Sequence, residues 1–482
     1  MRLNVLEVRY KRITLHLFSK GVLVETQMKL EHKIELRWLI LFALPTIFSN
    51  IFGNLYTAVD GIFVARFVDT DALSAINISM PMAYLASALG MMFGTGGNAL
   101  IAKKIGEGKQ QEALEDFSLL MAVAFVFSLV LSALCFVFLD PLCRFLGSDE
   151  ALLHYCRQYM IPGLISIPFA VFGMMFQLSF ITVGKAGLGA FLSVLGGVLN
   201  IMLDWLFMGE FDWGLTGAAI ATGIGYAVPS VIGVIWFCAN RKQALYVVRP
   251  KWRARTIIDS CINGSSEMVS ILAYSVVAIL FNRILMNLGG SDGVASLSII
   301  WYAQGLFGSL FRGYINGISS VVSYNLGRRD KERLSRLFRI SVWMLLAASA
   351  AVTVISYLLG GTVVNLFAEG SEYVATISLH GFRIVATSFA MMAVNVFASG
   401  WFTALNDGKT SAILSFCRTI VFMVIPVLVL PQIFEMDGVW MSISVGEMLS
   451  FAMSIYYFVK FRDMWRASKP SDAEAQKRRK RC

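Results

Sequence analysis

Asp60 lies inside an apolar stretch of the chain. A carboxylate in the centre of a membrane span costs about 2.5–3.5 kcal/mol on insertion scales, so such a residue normally faces a cavity or a partner. At about 100° per residue, Asn50, Gly53, Asn54, Thr57, Asp60 and Gly61 fall within roughly a third of a helix circumference. A polar stripe of that width suits water better than lipid. The Asp60 carboxyl could be protonated in apolar surroundings or hold Na⁺ through its oxygens. The competing reading is an interhelical hydrogen bond that only packs helices.

Asn200 and Asp204 are four residues apart and so share one helix face. Asp204 is near the end of its apolar run, where a solvated helix-end carboxylate is the plainer alternative. The second half of the chain carries Glu267, Arg312, Arg383 and Glu447. Arg312 and Glu447 fall nearer mid-run. Two readings stay open for these charges: ion pairing that neutralises them, or a second titrating or substrate-contacting site. Arg283 and Arg418 are close enough to helix ends to snorkel. No Cys/His metal spacing, Walker loop or nucleophile elbow is present in the sequence. The expectation is therefore no enzyme, no cofactor, and no metal beyond Na⁺ at Asp60 and Asp204. Uphill transport would then draw on an ion gradient or on a separate subunit.

The elements that must position these residues are membrane helices. Hydrophobic residues make up 57% of the 482 and charged residues 15%, against about 25% charge in a soluble domain. A crossing needs about 20 apolar residues, and twelve stretches qualify: 38–67, 72–102, 117–139, 159–182, 188–208, 215–239, 257–288, 294–326, 340–367, 374–405, 411–430 and 439–460.

The net charge is +10, but its distribution argues against nucleic acid as a partner. Alternate loops are basic (Lys103, Lys104 and Lys109; Lys185; Arg241 to Arg255; Arg328 to Arg339; Lys409), and the loops between them are acidic (Asp69 and Asp71; Asp140, Asp149 and Glu150; Glu210 and Asp212; Asp292; Glu369 and Glu372; Glu435 and Asp437). This positive-inside pattern puts both termini in the cytoplasm of a multi-pass protein of the cell membrane. The basic tail Lys477 to Arg481 reads as a solvated tail or as a contact for anionic lipid. Residues 1–27 have neither a signal-like apolar stretch nor transmembrane character, and read as a start-site extension or dispensable tail. Of the seven cysteines, Cys143 and Cys156 share an expected outer loop and either pair or stay independent.

The chain also repeats itself. Gly96, Gly106 and Phe117 fall on Gly317, Gly327 and Phe338 at an offset of 221; Gly184-Lys185 and Gly214 fall on Gly408-Lys409 and Gly438 at an offset of 224. Six helices per half make the repeats parallel, related by an axis along the membrane normal. The expected organisation is a tail (1–36), an N-terminal lobe (37–239), a basic linker (240–256), a C-terminal lobe (257–461) and a second tail (462–482). The acids are not echoed: the repeat counterparts of Asp60, Asn200 and Asp204 are Phe281, Val424 and Leu428. An ion site is therefore expected in the first lobe alone, on a duplicated scaffold.

Several segments carry a family resemblance: LPTIFSNIFGNLYTAVDGIFVARF from Leu44, ISMPMAYLASALGMMFGTGGNALIAKKIGEG from Ile78, GGVLNIMLDWLF from Gly196 and GLTGAAIATGIG from Gly214. In this order, with twelve spans and a six-plus-six repeat, they resemble the multidrug and toxic compound extrusion (MATE) family of transporters, in its prokaryotic form. The resemblance covers about residues 31–462. It implies an all-α, V-shaped, two-lobed membrane protein that exports organic cations in exchange for Na⁺ or H⁺. It further implies that Asp60 corresponds to the family's first-helix Asp, with Asn200 and Asp204 completing a hydrogen-bonded acidic site. Thr222 resembles a sixth-helix hydroxyl position and Gln177 a fourth-helix amide, so both, with Asn54 and Thr57, are expected to line the cavity. The Ile181–Gly189 segment departs from the acidic Gly-rich loop of relatives, which leaves no gating role to assign there.

The functional expectation is a monomeric secondary active exporter of small amphipathic cations, embedded in the lipid bilayer. The alternatives are a flippase for a lipid-linked sugar, which would need a strongly cationic central cavity, and a membrane scaffold or receptor without transport.

Overall fold

The computed structural model describes residues 32–67, 70–367 and 371–466, with side chains except those at 57, 58, 60–67, 70–74, 363 and 365–367. The tail readings for 1–27 and 477–481, those for Asp69 and Glu369, and the side chain of Asp71 lie outside it. Among the described residues the regular structure is helical throughout. The first six spans are α1 (Leu36–Phe67), α2 (Ala75–Gly106), α3 (Gln110–Val137), α4 (Glu150–Thr182), α5 (Ala186–Glu210) and α6 (Gly214–Ala239). A short helix, Leu139–Phe145, joins α3 to α4.

The next helical run, Ala254–Gly327, is 74 residues long. As one straight helix it would extend about 110 Å, far more than the ~30 Å of bilayer hydrocarbon. It folds back at Gly290, whose φ of 59° and ψ of −148° are non-helical and open to glycine at little cost. The run is thus two spans, α7 (254–289) and α8 (291–327). The last four are α9 (Lys331–Phe367), α10 (Glu372–Ala404), α11 (Gly408–Val429) and α12 (436–460). Among the described residues there are thus twelve membrane spans in two lobes, as the sequence predicts.

The lobes meet where α2, α4, α8 and α10 end, and the contacts come in pairs that follow the repeat. Thr182 Oγ1 of α4 lies 2.8 Å from Ser320 Oγ of α8. The repeat-equivalent pair is Asn406, just past α10, whose Nδ2 donates to the Ala99 carbonyl of α2 at 3.4 Å. A Cβ on Gly96 would stand 2.5 Å from Gly264 N, and one on Gly317 2.9 Å from Ala43 Cα. Residues 96 and 317, and 43 and 264, are again 221 apart. Small residues here let backbones approach closely.

Beside this contact the linker between the lobes is tied down by charge. Arg253 donates to Asp116 Oδ1 at 2.8 Å and Glu115 Oε2 at 2.6 Å, and Lys251 reaches Glu115 at 2.7 Å. Desolvation would lower the Arg253 pKa, but the facing Asp116 and Glu115 outweigh it and hold it above the ordinary value. Part of the basic loop charge read from the sequence is therefore neutralised by two buried acids at the start of α3. Cys143 and Cys156 are both buried and both free thiols; burial pushes the Cys143 thiol up to about 11.

Candidate functional site

A cavity of about 270 Å³, with polar groups set in a largely apolar wall, opens within the N-terminal lobe, between α1, α4, α5 and α6. Its shape follows from the Gly196-Gly197 pair of α5. A Cβ on Gly196 would lie 2.4 Å from the Gly225 carbonyl oxygen of α6, and one on Gly197 2.7 Å from a Phe52 ring carbon of α1. A side chain at Gly196 would meet backbone and one at Gly197 the Phe52 and Tyr56 rings, so the glycines let α5 seat against both neighbours at once. One turn later Asn200 faces the space between them, and Asp204 lies a further turn along.

The polar groups of the cavity come from four helices. On α1, Asn50 and Asn54 line it; Asn50 bonds back to the Thr46 carbonyl at 2.8 Å, whereas Asn54 donates across the lobes to Ser309 Oγ of α8. Gln177 of α4 donates to Ser49 Oγ at 2.9 Å. Asn200 of α5 approaches Thr222 Oγ1 of α6 at 3.4 Å. Asp204 is fully buried beyond Asn200, and the helix widens into a π turn, Trp205–Glu210, immediately after it. Such turns often accompany functional sites. The solvated helix-end reading of Asp204 is corrected by this burial. Thr57 and Asp60 lie on α1 one and two turns past Gly53, and their side chains are outside the described set.

Ser49 and Tyr226 also line this cavity. The sequence reading missed both, although Ser49 is four residues before Gly53 and Tyr226 four after Thr222, and hence on the same faces. The repeat counterparts in the second lobe are bulky. Trp401 stands for Gln177 and is fully buried, Phe281 stands for Asp60 at 1% exposure, and Ile420 and Val421 stand for the paired glycines.

The second-lobe charges sort themselves differently from the mutual Arg312–Glu447 pairing the sequence allows. Glu447, 1% exposed, takes Arg418 as its partner: Nη2 to Oε1 is 2.7 Å and Nε to Oε1 is 3.1 Å. Asn395 Nδ2 donates to Glu447 Oε2 at 2.6 Å, and Ser454 donates to Asn395 Oδ1 at 3.1 Å. Arg418 therefore does not snorkel from a helix end; it is drawn inward by a buried carboxylate on α12. Glu267 lies half-buried beside Thr95 of α2, Asn316 of α8 and Thr403 of α10, where both lobes meet. Arg312 is exposed and, among the described residues, makes no hydrogen bond or ion-pair contact.

A family model described as MatE matches the chain twice, at residues 45–206 and 267–428. The chain is 21% identical over 429 residues to a multidrug export protein, MepA, of Staphylococcus saprophyticus subsp. saprophyticus, with 87% of this chain and 93% of that protein covered. It is 22% identical to the MepA protein of Staphylococcus aureus strain MRSA252 over 430 residues, at the same coverage. Among solved structures, it resembles one described as an outward-facing conformation of a multidrug resistance MATE family transporter of the MOP superfamily. There the TM-score is 0.84 and the identity 22%, with 90% of this chain and 97% of that one covered. A crystal structure of MATE in complex with MaL6 gives a TM-score of 0.85 at 22% identity, covering 91% and 98%.

Proposed function

The chain belongs to the MatE family, and from that premise we propose that it is a secondary active efflux transporter, exchanging small amphipathic or cationic molecules for Na⁺ or H⁺. The observation that carries this reading is the cavity in the N-terminal lobe, lined by amides and hydroxyls from four helices, with the buried Asp204 one turn beyond its Asn200. In this reading Asp60 and Asp204, assisted by Asn200, hold the coupling ion. Asn54 links that site to the other lobe through Ser309. An ion shifts a conformational equilibrium only through different affinities in the two states, and a contact that spans the lobes is where such a difference can arise.

The basic end of the bundle, where the lobes touch, is assigned to the cytoplasm, with both termini on that side. The protein works as a monomer in the cell membrane and needs no cofactor beyond the ion. A flippase for a phosphate-bearing lipid is disfavoured because no arginine or lysine is among the residues that line the N-lobe cavity. A scaffold without transport would leave the one-sided cavity without a role.

Counterflow of a fluorescent cation in proteoliposomes, under separately imposed Na⁺ and H⁺ gradients, tests the reading. Uptake driven by one gradient and lost in Asp60→Asn is expected. Transport indifferent to both gradients would overturn the coupling.

A further inference from the structure

Arg312 is a guanidinium near the middle of a membrane span. Groups of this kind are costly in the bilayer and are normally paired or set against water. Arg312 has neither hydrogen-bond nor ion-pair contact among the described residues, and it is exposed. Its surroundings place it between the lobes. The charged and titratable groups that act on it electrostatically are Glu267, Arg418 and Tyr274. Glu267 sits at the junction of the lobes beside Thr95 of α2. Tyr274, two turns along the same face of α7, stacks edge-on with Tyr84 of α2 at 6.3 Å and packs on Trp301 of α8 at 5.3 Å. Ser309, three residues before Arg312, receives the Asn54 hydrogen bond from the first lobe.

The repeat points to the same place independently. Residue 91, at the repeat position of Arg312, is Met91, which lines the N-lobe cavity. Residue 53, at the position of Tyr274, is Gly53, which also lines it. Gly308 leaves the Arg312 side chain room to fold back toward α10: a Cβ there would stand 3.4 Å from Arg312 Nη1 and 2.8 Å from Met392 Cε. The position that is an apolar wall in one lobe is thus, in the other, a planar cation without hydrogen bond or ion pair among the described residues, within electrostatic reach of Tyr274 and its ring cluster. Arginine is suited to bidentate recognition of carboxylates, and the rings suit a flat apolar body.

We propose that Arg312 is a carboxylate-binding residue between the two lobes, selecting aromatic amphiphiles that carry an anionic group. The proposal rests on the reading of the protein as an exporter of amphiphiles. Of the two arginines that act on Glu267, Arg418 is already engaged by Glu447; Arg312 is the cation left for a ligand.

Binding of tetramethylrhodamine, which bears a free carboxylate, and of its methyl ester, which does not, can be compared by fluorescence polarisation on the purified full-length protein. Arg312→Gln should weaken the free acid by about tenfold or more, the scale of one charge-assisted hydrogen bond, and leave the ester within about twofold. Arg312→Lys should recover part of the loss. Arg312→Met, the residue type of the repeat-equivalent position, gives a second neutral variant should the first be poorly folded. Equal weakening of both dyes, or of neither, would overturn the assignment while leaving the exporter reading intact. A wild-type protein that binds neither dye would overturn that reading and this inference with it.

Discussion

Gly106 and Gly327 occupy reciprocal positions across the two lobes. A Cβ on Gly106 would lie 2.1 Å from the Tyr324 carbonyl oxygen, and one on Gly327 2.1 Å from that of Lys103. Both the glycines and their partners are 221 residues apart. The same contact is thus made twice about a pseudo-two-fold axis, and both copies need a residue without a side chain.

Gly106→Ala would therefore act on the closed end of the bundle more than on either lobe's interior. Overpacking of this kind costs roughly 1–3 kcal/mol, which shifts the closed population by roughly 5- to 150-fold. A cysteine placed at Ser320, buried one turn before Tyr324 and against Thr182, should become reactive to a soluble thiol reagent in the Gly106→Ala background. Unchanged labelling together with unchanged transport would show that the contact is not part of the cycle.

Asp60→Asn keeps shape but holds no titratable charge. Normal membrane abundance, loss of ion-driven efflux and substrate binding indifferent to the ion are expected. Asp204→Asn should weaken the same response, and the double variant should be little worse than Asp60→Asn, because groups acting as a unit are non-additive. The repeat-equivalent controls should behave differently. Phe281→Ala removes a fully buried ring and should cost about 3–5 kcal/mol of stability. Leu428→Ala, at a position 47% exposed, should cost little. Neither should alter ion dependence. Wild-type coupling in Asp60→Asn at matched protein levels would move attention to Glu267 and Glu447.

Glu447→Ala strips Arg418 of its buried partner. Breaking one side of such a pair typically costs about 3–5 kcal/mol, read as a lower unfolding temperature in detergent. Replacing both, as Arg418→Met with Glu447→Leu, should recover most of the loss. A Glu447→Ala protein as stable as wild type but unable to transport would make this carboxylate a functional group.

Cysteine labelling from each side of the membrane checks the orientation. Sites around Asp69 and Asp212 should react from outside, and sites around Arg253 and Arg333 only from inside. Labelling of all four from one side would contradict twelve crossings with both termini in the cytoplasm.

The sequence by itself determined the class of the protein, because the signals involved are one-dimensional. Apolar run length gives twelve spans, and a constant offset of 221–224 gives the duplication. The spacing of Asn50, Asn54 and Asn200 on helix faces marked residues that the structure places in one cavity with Gln177 and Thr222. Tertiary structure alone decided which charges meet. The partner of Glu447 depends on how α11 and α12 are rotated against each other, and no spacing along the chain encodes that rotation. It drew Arg418 inward and left Arg312 without a hydrogen bond or ion pair among the described residues. The burial of Asp204 was likewise settled by packing: its place near the end of an apolar run allows a solvated carboxylate, and only the neighbouring helices enclose it.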